Sequence, residues 1–179
     1  DIAGPMIASD NPFAEMFGYT TYPSLLRKLD AISKDAEVTD VILAIDSGGG
    51  AVSGLTAVAQ KIRQVSAEGK PVTAFSEGHM LSAAYWLGSS ADKIVVDKSA
   101  VVGSIGVIAH HYEESQALAN EGIKATVLRA GQYKALASSV EPLSDAARAQ
   151  IQDGLDHAYG MFVDHVAQAR GVSYPVADS

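Results

Sequence analysis

The chain has 179 residues, of which 47% are hydrophobic, 19% charged and 7% aromatic. That is enough apolar material for one sizeable core, and the composition suits a packed α/β protein far better than a disordered or coiled-coil one. Thirteen Lys and Arg against 21 Asp and Glu leave a formal charge of -8, which repels phosphate backbones and anionic headgroups and argues against a nucleic-acid partner. The absence of cysteine excludes disulfides, thiolate catalysis and Cys-based zinc sites. No window reaches the ~18 consecutive apolar residues of a membrane span, so no membrane segment is expected within this chain. A start at Asp1 without Met and a stop at Ser179 read as one domain over 1–179, cut from a longer chain.

Taken in order, Tyr22 to Ser33 carries Leu25, Leu26, Leu29 and Ile32 at helical spacing. Val38 to Asp46 is apolar and β-branched and runs straight into Ser47-Gly48-Gly49-Gly50, as a buried strand entering a tight loop does. Val52 to Ser66 reads as a helix, Lys70-Pro71 breaks it, Val72 to Ser76 is a short strand, and Ser82 to Ser90 is a small-residue helix. Lys93 to Asp97 is the next strand. Val101 to Ile108 resumes β character, Glu113 to Glu121 is helical and Ile123 to Leu128 is again a strand. Ser144 to Arg170 is the clearest amphipathic helix, with Ser144 and Asp145 at its start and Gly171 as its stop. Strands alternating with helices predict an α/β fold with a mostly parallel sheet, whose sites form where strands end and helices begin.

Two such junctions hold residues able to do chemistry: Asp46-Ser47-Gly48-Gly49-Gly50 and Gly78-His79-Met80-Leu81-Ser82-Ala83-Ala84-Tyr85. Glycines let backbone N–H groups face a ligand, and a helix start adds partial positive charge, so together they can stabilise an oxyanion. Ser82 is then placed to attack, although serine at a helix start also serves as a simple cap. A phosphate cradle with Glu77 on a ribose is the competing reading, but Gly48, Gly50 and Gly54 are one residue too widely spaced for the dinucleotide fingerprint. Ser90-Ala91-Asp92-Lys93 matches S-x-x-K without the triplets that accompany it in the known enzymes, and there is no G-x-S-x-G elbow. Histidines 79, 110 and 111 are candidates for a Ser-His-Asp triad, while His157 and His165 lie on the long helix facing water or a neighbour. No histidine spacing suits zinc.

Four blocks then fall in a familiar order: Ile45 to Gly50, Ser82 to Trp86, Val102-Gly103-Ser104-Ile105-Gly106-Val107-Ile108, and Ala130-Gly131-Gln132-Tyr133-Lys134. Together they resemble the signal peptide peptidase A family of Ser/Lys serine peptidases, over nearly the whole chain. The resemblance implies a Clp-proteolytic-subunit-like, crotonase-type spiral of ββα units, with Ser82 as nucleophile, Lys134 as general base and Ser104 orienting that base. It also implies an oxyanion hole from the N–H groups of Gly49 and Ala83. It implies no cofactor and no metal, polypeptide substrates bound in extended form, and a homo-oligomeric ring. A crotonase-type fold could alternatively bind an acyl-CoA thioester, or serve as an assembly module without catalysis.

A free lysine, with a pKa of about 10.4, cannot take a proton from a hydroxyl at neutral pH, so a lysine base needs apolar walls to favour its neutral form. Ala135-Leu136-Ala137 fits that requirement. Gly48 stands where the family usually has proline, which suggests a more flexible loop, and Met80-Leu81 stands where small residues are common. Ile108-Ala109-His110-His111 and Glu141-Pro142-Leu143 resemble tailed-phage capsid maturation proteases more than membrane-anchored members. A phage role implies the host cytoplasm and procapsid; an anchored parent chain implies membrane association.

Overall fold

Residues 1–11, 13–131 and 133–178 are described by the structure, a computed structural model. They divide into two compact units, Asp1–Gly106 with Gly160–Ser179, and Val107–Tyr159.

In the first unit the elements run β1 (Ile2–Ala3), β2 (Met6–Ile7), β3 (Thr20–Thr21), α1 (Tyr22–Lys34), β4 (Val41–Asp46), α2 (Leu55–Ala67) and β5 (Val72–Ser76). They continue with β6 (His79–Leu81), α3 (Ala83–Ser89), β7 (Lys93–Val96) and β8 (Val101–Gly103). One four-stranded sheet has the order β1-β4-β5-β7, and every pairing in it is parallel. A second layer is made of the parallel pairs β2-β3 and β6-β8, tied to the loop after β4 by bridges from Met6 to Gly50 and from Ser47 to Met80. The chain therefore sends one strand into the large sheet, the next into the small layer, and returns through a helix. This is the expected spiral of ββα units.

Local chemistry explains the elements. In β4, Val41, Leu43 and Ile45 alternate inward, the period of a strand with one packed face. Helix α1 begins where the Thr21 hydroxyl accepts the Ser24 N–H at 3.2 Å, a side-chain cap for an otherwise orphaned donor. Helix α2 lays Val58, Ala59, Ile62 and Val65, all fully buried, against the core.

The second unit contains α4 (Ser115–Asn120) and the first part of α5 (Asp145–Arg170), whose residues from Gly160 belong to the first unit; α6 (Tyr174–Ala177) ends the chain. The Ser144 hydroxyl accepts the Ala147 N–H at 3.2 Å, and Gly171 takes φ +63 beyond α5. Both expected helix signals are thus used. Two expected strands differ. Val101 to Ile108 is a strand only as far as Gly103, because Gly103 and Ser104 take φ of 105 and 52 and turn the chain. Ile123 to Leu128 is not a strand among the described residues: no neighbour pairs with it, and Ile123 and Leu128 are 51% and 92% exposed. Apolar β-propensity without a partner edge leaves backbone groups to water rather than to a ladder. Among the described residues no helix is long and apolar enough to cross a membrane.

Candidate active site

The loop after β4 is stitched to β6. The Ser47 N–H donates to His79 C=O at 2.8 Å, and the Leu81 N–H donates to Ser47 C=O at 3.1 Å. From the other side, Met6 donates its N–H to Gly49 C=O at 3.0 Å and accepts the Ala51 N–H at 2.9 Å. The buried Ser47 hydroxyl donates to Gly4 C=O at 2.6 Å and accepts the Gly49 N–H at 3.1 Å. The Tyr22 hydroxyl donates to Ala51 C=O at 2.5 Å; burial pushes this phenol's pKa up, so it remains a donor. The loop is anchored on both sides of Gly48, against the expected flexibility.

The glycines are explained by this packing. A Cβ on Gly50 would meet the Met6 carbonyl oxygen at 2.0 Å, and one on Gly54 would meet the Tyr22 ring at 3.2 Å. Gly49 has φ +109, and a Cβ there would lie against Ser82. The close approach of the Met6 backbone to Gly50 and of the Tyr22 ring to Gly54 is why glycine stands at both positions.

Strand β6 delivers Ser82, the residue between β6 and α3. Ser82 has φ 52 and ψ -125, a conformation nearly reserved for glycine. Its N–H donates to Gly103 C=O at 2.8 Å, and its C=O accepts the Trp86 N–H at 3.0 Å. A strained serine on a sharp strand-to-helix turn is the geometry of a nucleophile elbow, present here without the G-x-S-x-G sequence. Its side chain makes no capping bond, so the simple cap is not its role.

Ala83 is the first residue of α3, and its N–H has no intrahelical acceptor. Ser104, exposed at φ 52, follows the carbonyl that holds the Ser82 N–H. Gly49 touches Ser82, but its N–H is engaged by Ser47. The neighbouring Gly50 N–H points away from Met6, because Met6 bonds the residues on either side of it. Among the described residues it has no acceptor.

Lys134 belongs to the second unit, in a turn where its N–H donates to Gly131 C=O at 3.2 Å. Its side chain is exposed, and Ala135 and Ala137 are exposed with it. The two alanines enclose no amine, and of the three expected apolar residues Leu136, half-buried between them, is the one this turn withholds from solvent. Gln132, in the same block, lies outside the described residues. Among the histidines, His79 lies exposed 3.5 Å from Asp46, His110 stacks on Tyr112 and His165 is buried. Lys93 opens β7 while Ser90 ends α3, so the S-x-x-K match straddles two elements. Among the described residues no cluster of three His, Asp or Glu could hold a metal ion.

Residues 64–179 match the model of peptidase family S49. The chain belongs to this family. A relative from Methanocaldococcus jannaschii is 36% identical over 148 residues, 81% of this chain and 46% of its own. The capsid assembly protease C of Escherichia phage lambda is 29% identical over 175 residues, covering 98% of this chain and 40% of the relative. A head-tail preconnector protein of Enterobacteria phage P21 is 33% identical over 162 residues, covering 90% of this chain and 32% of the relative. The S49 chain thus spans less than half the length of these curated relatives. Ser82, Ala83, Ser104 and Lys134 all fall within the stretch matched by the S49 family; Gly49 precedes it.

Proposed function

We propose that this chain is the peptidase domain of a serine endopeptidase in which Ser82 is the nucleophile and Lys134 the general base. The observation that carries the reading is the strained conformation of Ser82 at a strand-to-helix turn against Gly49. Such strain costs about 1–3 kcal/mol and persists where function requires it.

In the reaction, neutral Lys134 takes the Ser82 hydroxyl proton as Oγ bonds to the scissile carbonyl carbon, and returns it to the departing amine as the peptide bond breaks. Water then attacks the acyl-enzyme ester by the same route, releasing the acid and restoring Ser82. The developing oxyanion needs two aimed N–H groups. Ala83 supplies one. For the second, the engagement of Gly49 by Ser47 favours the free N–H of Gly50 over the Gly49 donor implied by the resemblance. Ser104 keeps its expected role of orienting the base.

The exposure of Lys134 on its own turn supports assembly into a closed homo-oligomer that would provide the dry surroundings a lysine base needs. The names of the two phage relatives, a capsid assembly protease and a head-tail preconnector protein, favour a role in capsid assembly, and on this reading the substrates are extended segments of capsid or scaffold proteins cleaved within the procapsid. The chemistry asks for no metal or cofactor. Turnover of scaffold-derived peptides, together with self-cleavage, tests this reading. Activity is expected to vanish in Ser82→Ala and Lys134→Ala, and undiminished turnover in either would overturn the dyad.

A further inference from the structure

Behind the helix that starts at Ser82 lies a polar cluster that the catalytic assignments leave unused. His165 of α5 is 8% exposed. Its Nε2 lies 3.2 Å from the Trp86 carbonyl oxygen and 3.0 Å from Ser90 Oγ. The imidazole stacks on the Trp86 indole at 5.1 Å between centroids, and Phe162 stacks on the same indole at 4.8 Å. The Ser89 and Ser90 hydroxyls donate to the same Trp86 carbonyl at 2.8 and 3.1 Å.

A carbonyl only accepts, so Nε2 carries the proton and shares it between Trp86 C=O and Ser90 Oγ. Burial, reinforced by the positive charge of Arg63, pushes the imidazole pKa down to about 4, and the ring is neutral at neutral pH. An apolar ring would fill the slot between Trp86 and α5 without the cost of desolvating a polar group. What the histidine adds over such a ring is its N–H.

That N–H acts on the turn that holds Ser82. Trp86 accepts from His165 at its carbonyl and donates its own N–H to the Ser82 carbonyl at 3.0 Å. Helix α3 has only seven residues, too few for its internal hydrogen bonds to hold it rigid alone. The strained conformation of Ser82 therefore depends on what grips the other end of α3.

We propose that His165 is a positioning residue for Ser82, gripping the Trp86 carbonyl and the Ser90 hydroxyl so that α3 keeps the turn before it in its reactive conformation. The importance of that turn rests on the reading of Ser82 as nucleophile.

The test compares His165→Phe, which keeps the ring and loses the N–H, with His165→Gln, which keeps a donor. Two readings are taken on each full chain at neutral pH: hydrogen exchange of the Trp86 amide, and the rate at which a fluorophosphonate labels Ser82. In His165→Phe, exchange is expected about tenfold faster and labelling about tenfold slower, with both near the parent in His165→Gln. Parent-like exchange in His165→Phe would overturn the inference. Should that variant not fold, His165→Met, which also lacks a donor but adapts its shape to the slot, is read the same way, with parent-like exchange again contradicting the proposal. An unlabelled parent would count against the nucleophile alone, since exchange still decides what His165 holds.

Discussion

A Cβ added to Gly49 would fall 2.8 Å from the Cβ of Ser82 and 3.1 Å from its Oγ. No real Cβ sits so close, and φ +109 at Gly49 is itself strained for any other residue. Gly49→Ala is therefore expected to destabilise the fold by about 1–3 kcal/mol and to displace Ser82. Gly48 next to it has open space around its Cβ position, so Gly48→Ala is expected to stay within about 0.5 kcal/mol of the parent. Urea denaturation with peptide turnover on both variants checks the contrast; equal effects would mean that contact with Ser82 is not what matters.

Ser82 stores strain that glycine would release. Ser82→Ala removes the hydroxyl but keeps φ 52 and ψ -125, while Ser82→Gly removes both hydroxyl and strain. The gain of about 1–3 kcal/mol is offset by up to ~1 kcal/mol for the freer unfolded chain. Ser82→Gly is expected to melt about 2–4 °C above Ser82→Ala, with both inactive. Equal melting temperatures would limit the strain to the ~1 kcal/mol that the freer unfolded chain of the glycine variant offsets.

Lys134 is assigned a proton-transfer role, not a charge. Arginine keeps the charge but does not deprotonate in proteins. Lys134→Arg is expected to lose about 10²–10⁴ in kcat, as much as Lys134→Ala, with KM little changed. Steady-state kinetics on scaffold-derived peptides measures this, and a nearly active arginine variant would make residue 134 a binding group.

Acid should loosen the α3–α5 contact in a defined window. His165 is held down to about 4 from its ordinary 6.5, chiefly by burial and then by Arg63 of α2. Between those values the unfolded chain binds a proton that the folded chain refuses, so stability rises with pH there. The contribution is complete above 6.5 and is lost as pH falls towards 4. The Asp92 carboxylate, held below its usual 3.8 by the Val72 N–H and then by Ser66, gives up its contribution only at more acid values. Urea midpoints from pH 7 to pH 4 should fall more steeply in the parent than in His165→Gln; parallel curves would contradict a neutral, buried His165.

Much of this was legible from local chemistry. The alternation and β-branching of Val41 to Asp46 and of Val72 to Ser76 identify the central strands, and Ser144 and Gly171 mark the ends of α5. Of the strands of two or three residues, β1, β2, β3 and β6 are too short to show a period. They exist because neighbouring backbone is ready to pair. The elbow at Ser82 was hidden for a related reason. Its conformation is enforced at a distance by Gly49, Gly103 and Trp86, and no local pattern records that. The sequence leaves open whether His165 faces water or a neighbour, because only α3 packing on α5 shows which side of that helix is dry. Ile123 to Leu128 carries strand-forming residues, but a strand also needs an edge to join.

The central claim is that the Ser82 hydroxyl is an activated nucleophile, and intact-mass analysis after fluorophosphonate treatment at neutral pH tests it most directly. The expected result is one adduct per chain, mapped to Ser82 by peptide sequencing, absent from Ser82→Ala and strongly slowed in Lys134→Ala. An unmodified folded parent, or an adduct on another serine that survives Ser82→Ala, would contradict it.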